Sequence, residues 1–373
     1  MKKYDGIRVP RVHSGLLHTL YAFMLQSGMH SRSRTKFLEM KVMHNIKRIA
    51  EVAGVSTSTV SRVLNHHPYV SEVTRTRVME VIQELDYIPN INAVQLKVGR
   101  TKVIGIMTPT INNYYMQIIK GVSNAGKEQD YQVLIYQTEE NRDLESAALE
   151  LLRQKKVDGI VILRRMLDWS AVRHYTKYGP IVTCEPLKNK EISSIYLDHY
   201  EGFRIGLEHL VELGFEKIAC TIGRKNSVNS QRRLQAYYDL LAARKLPVNE
   251  EWLLSGIHTV QDGMRAFAKL ESLKERPHAI MTTNDLVACG IISAARSKGW
   301  NVPGDLAVVG FEADESQVAD AMGLTNITNP LQQIGQEMFR TLHRQLNGQP
   351  LEPAPLSFEL KVRQSTMLIP PTN

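Results

Sequence analysis

The stretch Asn45-Ile-Lys-Arg-Ile-Ala-Glu-Val-Ala-Gly-Val-Ser-Thr-Ser-Thr-Val-Ser-Arg-Val-Leu-Asn65 decides how this chain is read. Asn45 is placed to cap a first helix whose inner face carries Ile46, Ile49 and Ala50. Gly54 ends that helix, because a tight turn between two helices needs a positive φ that glycine adopts cheaply. Ser56 caps a second helix with Val60, Val63 and Leu64 inward. The spacing of Ala50, Gly54 and Val60 lets the two helices cross closely, as a helix-turn-helix requires. The outward residues of the second helix are Thr57, Ser58, Ser61 and Arg62, and Asn65 stands at its end. Short hydroxyls and one guanidinium suit a helix whose N-terminal end enters the major groove of double-stranded DNA. A plain helical hairpin with solvated hydroxyls is the competing reading.

Outward from this segment, composition and charge set the frame. The chain has 373 residues, a formal net charge of +8, and 43% hydrophobic and 23% charged residues. That is globular composition, with length for two or three domains. Residues 1–42 carry eight basic and two acidic residues, residues 43–100 seven and five, and residues 101–373 thirty-one of each. The main body is therefore neutral, and bulk charge does not identify a partner. Residues 1–42 read as an extension, disordered or non-native, ahead of a start at Met43. A signal peptide is the alternative, but the apolar patch Leu16 to Leu25 is interrupted and lacks a small-x-small cleavage site. Cys184, Cys220 and Cys289 are too far apart for a disulfide framework or a CxxC metal site. A reducing, cytoplasmic setting is expected, with no metal, no cofactor and no membrane span.

Between residues 45 and 98 the pattern is of short helices separated by tight turns. Pro89 interrupts helix propagation, and Asn90 can cap a short new helix of about two turns. A helix that short is marginal alone, so this piece reads either as a hinge that orders against a partner or as a mere linker. From Lys102 onward, short β-branched segments alternate with amphipathic ones. The strand candidates are Val103–Met107, Gln132–Tyr136, Gly159–Leu163, Ile181–Cys184, Ile195–Leu197, Ile218–Ile222, Ala279–Thr282 and Leu306–Phe311. Segments such as Leu144–Lys155 and Phe203–Leu213 supply the helices between them. Alternation of this kind predicts an α/β fold with parallel sheets, and some 270 residues divide better into two lobes than one sheet. The domains expected are the extension 1–42, a helix-turn-helix head with hinge at 43–100, and a two-lobed body at 101–373. No internal repeat is visible.

The run Ala53-Gly-Val-Ser-Thr-Ser-Thr-Val-Ser-Arg-Val-Leu-Asn65 resembles the headpiece of the LacI/GalR family of bacterial transcription regulators. The resemblance extends over residues 44–368, through Val70-Ser-Glu-Val-Thr-Arg-Thr-Arg77 and Leu85-Asp-Tyr-Ile-Pro-Asn90. The stretches Leu64–Ser71 and Tyr178–Glu185 are similar to the catabolite control protein B branch of the family. The resemblance implies a periplasmic-binding-protein-like body that binds a sugar or sugar phosphate between its lobes, where loops follow strand carboxyl ends. It implies a homodimeric repressor on a pseudo-palindromic operator. Leu96 is then the side chain that wedges the minor groove, Ala93 permits close helix approach, and Lys97 lies beside the groove floor.

For the effector, the resemblance points to Tyr114 and Tyr115 as an aromatic pair lining the cleft and to Arg233 as its hydrogen-bonding guanidinium. Asp285 is the acidic residue opposite, and Glu185 is a weaker candidate. Plainer readings stand beside these: packing tyrosines, Asp285 as a helix cap and a structural His258, while Arg232, next to Arg233, equally reads as the solvated one of the pair. The branch also implies a serine-phosphorylated phosphocarrier protein as corepressor. One departure stands out, Gly310-Phe-Glu-Ala313 where the family commonly carries Asp after the aromatic, which puts a standard pentose, hexose or purine effector in doubt. An enzyme is disfavoured, since there is no GxGxxG or GxxxxGK[ST] loop, HExxH or GxSxG elbow. A solute-binding protein accounts for two lobes but not for residues 45–97.

Overall fold

The computed structural model describes residues 46–65, 67–87, 99–187, 191–313, 317–352 and 354–367. These fall into two compact units, divided between Val98 and Gly99. Asn45, Ala93, Leu96 and Lys97 lie outside the described residues.

Among its described residues the first unit holds three helices, α1 (Ile46–Ala53), α2 (Thr57–Leu64) and α3 (Glu72–Glu84). Ile49, Ala50 and Ala53 of α1 meet Val60 and Val63 of α2 and Val78 and Val81 of α3 in one small core. At about 1.5–3 kcal/mol for each fully buried aliphatic side chain, so few residues leave little redundancy. Gly54 turns the chain at φ +69. Ser56 Oγ accepts from Thr59 N at 3.1 Å to cap α2, and Ser71 Oγ accepts from Thr74 N at 3.3 Å to cap α3. Arg77 Nε reaches back to the Ala53 carbonyl at 2.9 Å and ties α3 to the turn.

The second unit is two α/β lobes. In the first, β1 (Val103–Thr108), β2 (Gln132–Gln137), β3 (Gly159–Ile162), β4 (Ile181–Thr183) and β5 (Ser193–Ser194) form an all-parallel sheet in the order β2-β1-β3-β4-β5. In the second, β6 (Ile218–Thr221), β7 (Leu253–Leu254), β8 (Ala279–Met281), β9 (Ala307–Ala313), β10 (Thr325–Asn329) and β11 (Glu359–Lys361) follow the order β7-β6-β8-β9-β10-β11. Among the described residues only the β10–β11 pairing is antiparallel. The winding of β7 to β10 repeats that of β2 to β5, a repeat of topology that leaves no repeat of sequence.

Each sheet is covered on both faces, as parallel sheets require. The first lies between α4 (Asn113–Lys127) with α12 (Leu331–Leu346) on one side and α5 (Arg142–Arg153) with α6 (Trp169–Arg173) on the other. The second lies between α7 (His199–Glu212) with α8 (Val228–Arg244), and α9 (Val260–Glu271) with α10 (Asp285–Ser297). The pleat sends successive side chains to opposite layers. Ala307 and Val309 face α7 and α8, and Val308 faces α9 and α10. A further helix, α11 (Gln317–Met322), packs Ala319 into the second of these layers.

The chain crosses between lobes near residues 195–198, near 329–331, and again after α12. The first crossing corrects a strand expectation. Ile195–Leu197 is not a strand, and β5 is the preceding pair Ser193–Ser194. Ile195 is buried in the first lobe's core and Leu197 packs on the second's, so two separate cores produce the alternation of a single strand. Strands β7, β10 and β11 were not anticipated.

Candidate functional site

In the head, Thr57, Ser58, Arg62 and Asn65 are exposed and Ser61 is half-buried, all on α2 or at its C-cap. Arg62 is the cation of that reading face, while Asn65 Nδ2 donates to the Ser61 carbonyl at 2.5 Å. Arg48 is paired with Glu51 on α1, and Arg75 donates to the His67 carbonyl at 2.9 Å. Tyr69, after α2, is 87% exposed and Val73 is 81% exposed. Nothing in the hydrophobic spacing marks these two open apolar groups.

In the body, a cavity of about 330 Å³ opens between the lobes. Its walls follow the carboxyl ends of the strands. Tyr114 and Tyr115 come after β1, Leu163, Arg164 and Arg165 after β3, and Cys184 to Pro186 after β4. The other lobe supplies Asn226 to Asn229 after β6 and Asn329 from the end of β10. The crossing segment adds Tyr196 and His199. A second cavity of about 190 Å³ shares Tyr114 and Asn329 with it and is lined by Arg233, Thr283, Asn284 and Phe311. This is where doubly wound sheets place ligands, because the loops there are unconstrained by the strand ladder.

The polar groups of the cleft are held firmly. Arg233 is 8% exposed, with its guanidinium 4.3 Å from the centre of the Phe311 ring. It donates to the Thr283 carbonyl at 2.9 Å, to Thr283 Oγ1 at 3.0 Å, and twice to His199 Nδ1 at 3.2 and 3.0 Å. His199 is stacked on Phe311. Burial, and then the Arg233 charge, hold its imidazole well below the usual histidine range, so it is the neutral acceptor that arginine needs. Arg232 is the solvated neighbour, bound to Asp198 at 2.5 Å.

Burial pushes the Tyr115 phenol up to about 12 and the Cys184 thiol to about 12, and raises the Glu185 carboxyl. Glu185 accepts from the Arg165 backbone N–H at 3.0 Å. Buried Glu145 accepts the backbone N–H groups of Met166 and Leu167 at 2.7 and 2.8 Å and pins the loop that carries Arg164, Arg165 and Trp169. Across the mouth, Glu140 Oε1 lies 2.6 Å from Arg224 of the other lobe and 3.1 Å from Arg164 of its own.

Tyr114, Tyr115 and Glu185 thus line the larger cavity and Arg233 the smaller. Asp285 is placed differently: it is 1% exposed and lies behind the wall, with Oδ2 accepting from Asn326 at 2.9 Å. A Cβ on Gly310 would sit 2.2 Å from Asp285 Oδ1, so glycine is needed there for the carboxylate to fit under β9. The cap of α10 is Asn284, not Asp285, and accepts from Val287 N at 2.9 Å. Exposed His258 gives its backbone, not its ring, to Asp262 and Asn284. Arg164, Arg165, Trp169, Tyr196, His199 and Asn329 were missed. The rule of looking just after each strand finds the two arginines; the others carry no local signal. Among the described residues no group of three or more His, Cys, Asp or Glu side chains is arranged to hold a metal ion.

Residues 45–90 match the family of bacterial regulatory proteins of the lacI type, and residues 101–356 match the periplasmic binding proteins and sugar binding domain of the LacI family. The chain belongs to the LacI family. It is 36% identical over 326 residues to the uncharacterized HTH-type transcriptional regulator YkvZ of Bacillus subtilis, covering 87% of this chain and all of that one. It is 33% identical to catabolite control protein B of the same organism, covering 80% and 93%. The lac repressor dimer bound to operator and the anti-inducer ONPF superposes with a TM-score of 0.77 at 28% identity, over 87% of this chain and 99% of that one. This LacI-family member is a DNA-binding transcriptional regulator, and its relatives are regulators rather than enzymes.

Proposed function

We propose that this protein is an effector-controlled repressor of carbohydrate or catabolite-controlled genes, acting as a homodimer on a pseudo-palindromic operator. Two-fold symmetry suits it because one head covers only a half-site. The edge strand β2, with Leu134 and Ile135 each about two-fifths exposed, supports a face that a second copy covers. Thr57, Ser58, Ser61, Arg62 and Asn65, together with Asn45, contact base edges and phosphates. Ala93, Leu96 and Lys97, outside the described residues, are the proposed minor-groove contacts. Tyr114, Tyr115, Glu185 and Arg233 hold a sugar or sugar phosphate, and Asp285 supports that wall from behind.

The observation that carries this reading is the cavity at the strand carboxyl ends with Asn329 in its wall. Asn329 is 2% exposed, and its Oδ1 is buried without a hydrogen-bond partner among the described residues. A buried carbonyl oxygen in that state costs about 1–3 kcal/mol unless a ligand donates to it, as a sugar hydroxyl does. An effector shifts the lobes only as far as it binds one arrangement better than the other. The inter-lobe pair Glu140–Arg224 is a contact that such a shift makes or breaks.

The test is selection of bound genomic fragments followed by gel shifts with and without candidate sugars. Operator affinity that no sugar or sugar phosphate moves, with the cavity shown to be empty of them by calorimetry, defeats the effector reading. A serine-phosphorylated phosphocarrier protein as corepressor on an outer surface is the further partner that the sequence resemblance to the catabolite control protein B branch implies, and operator affinity unmoved by that partner defeats it.

A further inference from the structure

Arg164 and Arg165, adjacent in sequence, both enter the larger cavity from the end of β3. Arg165 lies flat on Trp169, 3.9 Å from the ring centre, with its side chain 18% exposed. Its nearest carboxylate contact is Glu185 Oε2 at 3.7 Å, beyond hydrogen-bond reach, while Glu185 Oε1 is committed to the Arg165 backbone. Arg165 Nη1 donates to the Leu167 carbonyl and its Nε is buried with no hydrogen-bond partner among the described residues, while Arg164 Nε lies 3.1 Å from Glu140 Oε1. Around this end of the cleft the guanidiniums of Arg164, Arg165 and Arg224 meet two carboxylates, Glu140 and Glu185. Facing them in the same cavity, from the other lobe, is the start of the 17-residue helix α8, with Asn226 to Asn229 in the wall and no acidic residue in its first turn. Its first-turn N–H groups and helix dipole favour negative charge.

From this geometry we propose that the effector is an anionic sugar, its phosphate or carboxylate oxyanion seated against Arg164 and Arg165 and its ring among Tyr114, Tyr115 and Tyr196. The oxyanion supplies the negative charge that balances three guanidiniums against two carboxylates. A guanidinium and an oxyanion are both charged and can pair through two parallel bonds, a planar bidentate fit that a single neutral hydroxyl does not offer. Asn329, in the same wall, takes a ring hydroxyl as donor. The partner is thus a sugar ester or sugar acid, a narrower class than the neutral sugars that a cleft of this kind also admits. The inference rests on the cleft being the effector site.

The experiment is calorimetric titration of the full chain with matched ligands at constant ionic strength: hexoses, their 6-phosphates and the corresponding uronic acids. Inorganic phosphate and sulfate against chloride probe the anion seat alone by thermal shift. At least one charged member binds about ten-fold or more tightly than its neutral partner, and Arg165→Gln and Arg164→Gln each remove most of that preference. The 6-phosphate and uronate arms separate phosphate from carboxylate. Arg165→Lys, which keeps the charge but not the planar fork, retains part of the preference and controls for misfolding. Charged and neutral partners binding within about two-fold, or a charge preference that survives both glutamine variants, overturns the proposal. Neutral sugars binding alone would leave the effector cleft standing and the anion seat refuted. If no member of the panel binds and phosphate gives no shift, both fail.

Discussion

The head and the cleft solve recognition in opposite ways. The head places its candidate reading residues within nine positions of one another on one helix and its C-cap, over a core of seven buried side chains from three short helices. The cleft collects its lining from strand ends, helix starts and loops more than two hundred residues apart, from Tyr114 to Asn329. A helix turns neighbouring residues into a surface at no topological cost, and that surface is as reliable as its small core. A doubly wound sheet brings distant loop ends to one rim, and each of those loops is braced separately. Glu145 pins the Arg164–Trp169 loop, while His199 and Thr283 hold Arg233. The head is therefore predicted to fail all at once, and the cleft one contact at a time.

The most severe way to break this comparison is Val60→Asp, which puts a charge at a wholly buried position of the head. A loss above about 4 kcal/mol is expected there. Operator binding should vanish in gel shifts, while sugar binding and the main calorimetric transition of the body persist. Simultaneous loss of the body transition would show that the two units are not independent. Next, Arg62→Ala should cost about 1–3 kcal/mol of operator discrimination and relax selected sequences at one position. Effector affinity should stay unchanged.

Asn329→Ala leaves the head alone and removes the buried acceptor. It should weaken effector binding by about ten-fold, measured by calorimetry, with the affinity of effector-free protein for operator preserved. The smallest effect concerns pH. His199 has its folded pKa depressed below the ordinary value of 6.5, so the unfolded chain binds the extra proton. Stability from this group is fully present above about pH 6.5 and falls as pH drops toward the folded value, by up to about 1.4 kcal/mol per pH unit. His199→Gln, which keeps an acceptor for Arg233, should flatten that acid limb in denaturant titrations. An unchanged slope would remove His199 as its source.

What was legible in the sequence follows the same division. Ser56, Gly54 and the Val60–Val63 face can be read locally, because caps, turns and helix periodicity are local physics. β1, β3, β6 and β9 are legible for a related reason: buried parallel strands are short apolar runs. β10 is not. Its residues Thr325-Asn-Ile-Thr-Asn329 are all buried, yet four are polar. They are tolerable because Ser365, Thr366, Asp285 and Arg363 satisfy several of them from other elements, and hydropathy carries no record of those partners. Gly310-Phe-Glu-Ala313 was singled out for its carboxylate. In the structure Gly310 makes room for Asp285 and Phe311 carries Arg233.

By itself, then, the opening stretch determined the helix-turn-helix and its reading face, since every interaction that forms them spans a few residues. Tertiary structure decided which of Arg232 and Arg233 turns inward, that Asp285 stands behind the wall, and that Arg164, Arg165, His199 and Asn329 share the cleft. Those outcomes depend on which strand ends the winding brings together and on which buried polar atoms find partners. Both are properties of contacts far apart in sequence.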